Sequence, residues 1–406
     1  MPYEGDNMMG VKRTNRSAAL RVLHESGSMS RKRLSESIKL TPAAITKIVG
    51  EMIAEGLLTE GRLLPGSGVG RREVMVELNC HAHTALGIFI NLRQAILSAV
   101  WLDGTVLFSE KITIPEQAPA DETVSALCRR LMELVAEHDL KREEILGVGV
   151  AMRGLTSSDA RLVRNSFGAL GSFDYPICDR VEARTGLPCI MSNNVRALFA
   201  AQMFLSKDRS SGSQFFLRCE VGIGASFAIG EKIWLGSSGQ CAEIGHIPVV
   251  KRGGKPCSCG KSGCLETIAS PSAILRDARE LLSEGNTPIL WRLAQSREDK
   301  LPTLEDVFEA ARSGEGEIAA LIDRAVEALA AAIKSVIYTL DPGKVVLYGR
   351  MFDNPYYLSK LIAEMREGVD SAHSVPIEPS RLNQRLEDKA APLLIVRDFF
   401  EKGGLL

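Results

Sequence analysis

Within the segment EIGHIPVVKRGGKPCSCGKSGCLE stand one histidine, His246, and three cysteines, Cys257, Cys259 and Cys264. Three thiolates and an imidazole complete a tetrahedral donor set for zinc, and four protein ligands leave no open position for activating water. The spacing therefore predicts one structural zinc ion per chain, with Gly253, Gly254, Gly260 and Gly263 giving the loop the freedom to wrap it. Clustered cysteines beside an unrelated surface histidine are the competing reading. The other six, Cys80, Cys128, Cys178, Cys189, Cys219 and Cys241, are scattered through apolar segments and read as buried packing thiols. Glu243 and Glu266 bracket the loop. Closing it around an ion brings both carboxylates near the His246 ring, a set suited to sugar hydroxyls, unless these acids serve only the surface or the metal loop.

A chain of 406 residues, 45% hydrophobic and 24% charged, is long enough for two or three domains with sizeable cores. No stretch reaches the roughly 20 apolar residues of a membrane span, because the segment near 317–340 is broken by Asp323, Arg324, Glu327 and Lys334. The opening MPYEGDNMMG lacks the basic-then-apolar order of a secretory signal. A cytoplasmic, nucleoid-associated chain with reduced thiols is expected.

Charge is unevenly placed. Between Val11 and Val49 nine basic residues face two acidic ones, Glu25 and Glu36, which permits contact with nucleic acid. Residues 15–27 carry the apolar pattern of a first helix ended by Gly27, and a second helix can start at Ser30. Thr41 is a good N-cap and Pro42 a good first helical residue, while Ile45, Ile48, Val49, Met52 and Ile53 form one apolar face. Thr41 to Glu55 thus reads as a recognition helix whose small outer face admits close approach to base edges. Two strands, Leu57–Glu60 and Val74–Leu78, enclose the glycine-rich GRLLPGSGVGRRE, the pattern of a wing. The expected DNA contacts are Arg31, Thr41, Ala43, Ala44, Thr46 and Lys47, with Arg71 and Arg72 at the wing. A three-helix protein-interaction module is the alternative.

After Cys80, the segments LGIFINL, AILSAVWL and VLFSEKITI read as three strands, followed by a helix near 121–138 and the strand ILGVGVAM. CIMSN leads into a helix from about 195, a hairpin covers FFLRCEVGIGASFAIGEKIW, and a helical region from Pro271 to Leu340 precedes the strand VVLYG. Alternation of this kind predicts an α/β fold with a mixed sheet.

The sequence resembles the ROK family (repressors, open reading frames and kinases), in its branch of N-acetylglucosamine- and xylose-repressor type. Glu243-Ile-Gly-His246 and Cys257-Ser-Cys259 through Cys264-Leu-Glu266 match the ExGH and CxCGxxGCLE signatures position by position. The resemblance implies a winged helix-turn-helix domain over residues 1–80, with wing and linker at about 57–80. An actin-like, ribonuclease H-like sugar-kinase fold follows, with an N-terminal lobe over 81–194, a C-terminal lobe over 195–390 holding the zinc loop 243–266, and a C-terminal helix over 391–406. It further implies that His246 is both zinc ligand and sugar contact, and that Asn165, Asn193, Asn194, Glu243 and Glu266 contact the sugar.

Several positions depart from the kinase pattern. Family kinases carry a general-base aspartate directly after the residue matching Asn193, where this chain has Asn194, and a neutral amide cannot take up that proton. In place of the first phosphate loop stand Ile90-Asn91-Leu92-Arg93-Gln94, in place of the second Glu220-Val221-Gly222, and in place of a later Gly-Gly stand Tyr348-Gly349. Gly222-Ile-Gly224 then reads as a structural turn. Arg153-Gly154 replaces a frequent Pro-Gly in the sugar pocket and favours a phosphate or carboxylate on the ligand. The expectation is a dimeric, non-enzymatic regulator of sugar-utilisation genes that binds operator DNA and senses a sugar or sugar derivative, with a sugar-transport protein as a further partner. An active ATP-dependent kinase with a DNA-binding appendage is the alternative.

Overall fold

The computed structural model describes residues 8–64, 73–115, 118–156, 161–165, 170, 173–206, 212–367, 374–382 and 386–405. They form two compact units, Met1–Lys207 with Arg385–Leu406, and Asp208–Gln384. Residues 195–207, assigned on sequence to the C-terminal lobe, therefore cluster with the first unit, as does the C-terminal helix.

The first unit opens with α1 (Met8–Ser26), β1 (Met29–Ser30), α2 (Arg31–Ile38), α3 (Pro42–Ala54), β2 (Leu58–Leu64) and β3 (Glu73–Leu78). Gly27, at φ +73°, ends α1 by donating its N–H to Leu23 O at 3.0 Å. Lys39 in the left-handed region closes α2, and two residues later the Thr41 hydroxyl accepts the Ala44 N–H at 3.3 Å, with Pro42 in the first turn of α3. Ile45, Val49 and Met52 of α3 are buried, as are Leu20, Leu23 and Leu34. The three strands pair antiparallel in the order β1-β3-β2. The two-residue β1, pairing Met29 with Val76, is too short for a period-two signal.

The rest of this unit contains β4 (Thr84–Ile90), β5 (Gln94–Trp101), β6 (Val106–Thr113), α4 (Ala120–Glu137), β7 (Ile145–Met152), β8 (Leu155–Thr156), β9 (Val163–Asn165), β10 (Phe173–Tyr175), α5 (Ile177–Thr185), β11 (Cys189–Asn193) and α6 (Asn194–Leu205). Its main sheet has the order β11-β7-β4-β5-β6, with β11, β7 and β4 parallel and the other pairs antiparallel. Leu86, Ile88 and Ile90 alternate onto the face covered by Leu127, Leu131 and Val181 of α4 and α5. The interior strand β7 is buried at every residue, as expected of an apolar run covered on both faces.

The second unit contains β12 (Ser213–Cys219), β13 (Ile223–Ile229), β14 (Lys232–Ile233), α7 (Glu266–Ala269), α8 (Pro271–Leu281), α9 (Pro288–Gln295), α10 (Leu304–Arg312), α11 (Gly316–Leu340), β15 (Lys344–Tyr348), α12 (Pro355–Arg366) and β16 (Ile377–Pro379). Its sheet order is β14-β13-β12-β15-β16. Phe215, Leu217, Val345 and Leu347 pack against Ile322, Leu329 and Ile333 of α11 and Tyr357 of α12. The chain then returns to the first unit as α13 (Leu386–Glu401).

Helix α13 lies unusually close to the sheet. Gly87 and Gly149 are register partners on β4 and β7. A Cβ on Gly87 would fall 2.2 Å from Pro392 Cδ, and one on Gly149 would fall 1.8 Å from Ala391 O. Pro392 sits inside the helix, where its ring replaces a backbone donor against the sheet. The far end of α13 meets α1. Arg16, fully buried, donates Nε–H to Gly403 O at 2.7 Å and Nη1–H to Glu55 Oε1 at 2.9 Å, while Nη2 pairs with the other Glu55 oxygen. His24 stacks on Phe204 of α6 with ring centroids 4.1 Å apart and meets Phe400 edge-on at 5.8 Å.

Gly149→Ala is expected to lower the unfolding free energy by about 3 kcal/mol or more, because backbone rather than a pliable side chain stands in the way. Gly50→Ala, in the exposed interior of α3 with nothing within 4 Å of the new methyl, should instead raise it by about 0.5–1 kcal/mol. Denaturant unfolding of both variants checks the pair.

Candidate functional site

The cysteine-histidine loop is built from backbone first. A 3₁₀ turn, Ile244–His246, precedes it, and Ala242 just upstream holds φ +67°, a costly conformation for a residue with a Cβ. Isolated bridges pair Pro248 with Cys264 and Pro256 with Ser262. The N–H groups of Val249 and Val250 both reach Gly263 O, at 2.9 and 3.0 Å. Gly263 can sit there because it holds φ +74° and because a Cβ would come within 2.3 Å of Val250 O.

This folding brings all four expected ligands together. The donor atoms of His246, Cys257, Cys259 and Cys264 lie within 4.8 Å of one another. The Cys259 and Cys264 sulfurs are 3.7 Å apart, and Cys257 Sγ is 3.5 Å from His246 Nδ1. A tetrahedral site with thiolate distances of about 2.3 Å and imidazole distances of about 2.0–2.1 Å puts two sulfurs about 3.8 Å apart and sulfur and nitrogen about 3.6 Å apart. The Cys259–Cys264 and Cys257–His246 pairs already have these spacings. Burial pushes the Cys264 thiol up to about 12 and raises Cys257 as well. At Cys259 burial is outweighed by the Lys261 backbone N–H and the neighbouring thiols, which lower it. A cation bound here must displace thiol protons.

Glu266, the first residue of α7, faces the same loop. Its Oε2 accepts the Ile223 N–H at 3.0 Å and its Oε1 the Ser258 hydroxyl at 3.4 Å. Gly222 lies against this carboxylate, and a Cβ there would fall 2.1 Å from Oε2 and displace it. Nothing in local periodicity pointed to Ser258, or to Lys261, whose Nζ donates to His246 O at 3.3 Å. Glu243 is exposed at the head of the 3₁₀ turn. Beyond β12, Glu220 Oε1 accepts the Arg350 N–H at 3.0 Å, beside a cavity of about 370 Å³ lined by Glu220, Leu275, Arg279, Leu301, Arg350 and Met351.

In the first unit, Asn165 ends β9, and Asn193 and Asn194 straddle the junction of β11 and α6. Asn193 is the N-cap: Oδ1 accepts the Val195 N–H and Nδ2 donates to Gly154 O, both at 2.9 Å. Asn194 is the first helical residue and only 3% exposed.

On the N-terminal module, Thr41, Ala43, Thr46 and Lys47 are exposed along α3, and Ala44 is half-buried. The Thr46 hydroxyl donates to Pro42 O at 2.8 Å, which turns its lone pairs outward. Arg31 is paired with Glu60 at 2.7 Å. Arg71 and Arg72 lie outside the described residues.

The model of the ROK family matches residues 90–393. The chain belongs to the ROK family. It is 27% identical over 346 residues to the DNA-binding transcriptional dual regulator NagC of Escherichia coli (strain K12), covering 84% of this chain and 81% of that protein. The crystal structure of a ROK family transcriptional regulator, a homolog of the E. coli MLC protein, is similar over 97% of this chain and 98% of its own, with TM-score 0.78 and 23% identity. A ROK family glucokinase from Streptomyces griseus, in complex with glucose and AMPPNP, is similar over 98% of its length but 77% of this chain, with TM-score 0.65 and 22% identity. The mixed α/β fold is thus the one shared by ROK regulators and actin-like sugar kinases, and this ROK chain carries residues beyond the kinase length.

The four-ligand geometry has a direct readout. Protein loaded with Co²⁺ should take up about one ion per chain and show thiolate-to-metal charge-transfer absorption, abolished in a Cys257→Ser/Cys259→Ser variant. A folded wild type without that absorption would contradict it.

Proposed function

We propose that this chain is a DNA-binding transcriptional regulator, a repressor of sugar-utilisation genes, whose sugar-kinase-like body senses a sugar or sugar derivative and does not transfer phosphate. The observation that carries the reading is the module ahead of the ROK match: three helices and a small antiparallel sheet, with exposed Thr41, Ala43, Thr46 and Lys47 on one helix. We read it as a winged helix-turn-helix with α3 in the major groove and Arg31, Ala44, Arg71 and Arg72 as further contacts. For Arg31 this requires leaving Glu60, an exposed pair of small worth. The similarity to a protein named a DNA-binding transcriptional dual regulator supports this assignment. Two modules on a palindromic operator give more phosphate contacts and base readout than one, so a homodimer is the binding species.

The loop ion is zinc in this reading, one per chain and structural, because His246, Cys257, Cys259 and Cys264 fill a tetrahedron. His246 offers Nδ1 to that ion, and with Asn165, Asn193, Asn194, Glu243 and Glu266 we assign it to sugar recognition. The body is a sensor because Asn194 offers an amide in the general-base position, and because the Glu220 carboxylate, fixed to the Arg350 N–H, opposes a nucleotide phosphate. Ligand shifts DNA affinity to the extent that it binds one arrangement of the two DNA modules better than the other. A sugar-transport protein is a second class of partner for the body.

Lys47→Ala should weaken operator binding and reduce the slope of log affinity against log salt by about 1 for each phosphate no longer neutralised. Unchanged slopes for both Lys47→Ala and Arg71→Ala, measured by fluorescence anisotropy across a salt series, would refute the assignment of α3 and the wing. With MgATP and a sugar panel no sugar phosphate should form. Product that disappears in Glu243→Ala would restore the kinase reading.

A further inference from the structure

Helix α6, twelve residues and about 18 Å long, takes a side-chain cap at each end. At its start Asn193 Oδ1 accepts the Val195 N–H and Nδ2 donates to Gly154 O, both at 2.9 Å. At its far end the Phe204 carbonyl lies in the last turn, where the helix has run out of N–H groups of its own to offer. The donor comes from another segment. His24 Nε2 stands 3.1 Å from Phe204 O, and because a carbonyl only accepts, that nitrogen carries the proton. The His24 ring also stacks on the Phe204 ring at 4.1 Å, and Phe400 of α13 meets both edge-on, at 5.8 and 5.6 Å.

His24 lies in the last turn of α1, and α1 is clamped to α3. Lys12 pairs with Glu51 at 2.7 Å, and the buried Arg16 holds Glu55, the C-cap residue of α3, through both carboxylate oxygens. All these elements belong to the first unit. Between its caps α6 has little give: Ala197, Leu198, Phe199, Ala200 and Ala201 are all buried, so the helix responds as one body. Its start is where a ligand acts. Asn193 uses its amide on structure, so a sugar hydroxyl accepting from Nδ2 competes with Gly154 O and binds different placements of the α6 terminus with different affinity.

We propose that α6 couples the sugar site to the recognition helix, with His24 as the positioning residue that passes a shift of α6 to α1 and so to α3. The inference rests on the proposed sugar-sensing regulator and specifies the route of its regulation. A contact that only held the module in place would set stability. One that transmits sets the ratio of DNA affinities with and without sugar.

The test uses full-length, zinc-loaded protein, a duplex that it selects from a random-sequence pool, and glucose, N-acetylglucosamine and xylose as probes. Fluorescence anisotropy gives the DNA dissociation constant with and without each sugar, and calorimetry gives the sugar constant without DNA. For the sugar that acts, the two DNA constants of the wild type should differ by about five-fold or more. His24→Ala should bring that ratio below about two-fold while sugar affinity changes less than about two-fold. His24→Gln, whose side-chain N–H can still reach Phe204 O, should keep the ratio within about two-fold of wild type. His81→Ala removes a different ring contact, the stack on Trp101 of β5 at 3.8 Å, and should leave the ratio unaltered. Phe204→Leu serves where His24→Ala fails to fold: it removes the stacked ring, keeps the carbonyl and an apolar side chain, and should lower the ratio at least about two-fold. A wild-type ratio in Phe204→Leu and in any folded His24→Ala, or an equal loss in His81→Ala, overturns the proposal and leaves the sensor reading standing. No change of DNA affinity with any of the three sugars overturns both.

Discussion

The first unit depends on how closely a helix can approach a sheet. Helix packing on a pleated surface is normally spaced by side chains, but at Gly87 and Gly149 the strands present none, and α13 settles until Pro392 and the Ala391 carbonyl occupy that space. Proline brings an apolar ring to the contact and forgoes the helical hydrogen bond that an N–H at this interior position would donate. Residues from the end of the chain thereby cover one face of a sheet whose strands come from its first half. The same helix carries Gly403 beyond its end to the buried Arg16, so α1 and the core sheet are joined through one rigid element.

That junction uses a buried charge with its hydrogen bonds assigned. Arg16 is shielded from water and reaches a main-chain carbonyl and both oxygens of Glu55. A buried guanidinium missing either partner would be heavily penalised, so the geometry selects a single seating of α1. Its contribution is specificity of position more than net stability.

The second unit organises its polar groups around the cysteine-histidine loop. Glu266 illustrates the economy of the arrangement: one carboxylate accepts the Ile223 N–H, receives Ser258 from the loop and packs against Gly222. The loop and the turn after β12 are therefore fixed against each other through one side chain. In the other unit the equivalent ordering comes from Asn193, which binds the α6 terminus to the loop after β7.

Much of this was legible in the sequence. The strands β7 and β11 coincide with ILGVGVAM and CIMSN, because buried runs bounded by turns carry their own signal. Thr41 and Pro42 placed the start of α3, because capping is local chemistry. The donor set for a metal was readable because thiolates and imidazole in a glycine-rich loop have few other uses. The C-terminal helix, expected over 391–406 from the resemblance, begins at Leu386 and holds Pro392 in its interior, where the close contact with the sheet accommodates it. Which asparagine serves as cap and which is the buried first residue of α6, and which unit claims the C-terminal helix, was decided only by tertiary structure. Each depends on contacts between segments far apart in the chain, and local pattern carries no record of those.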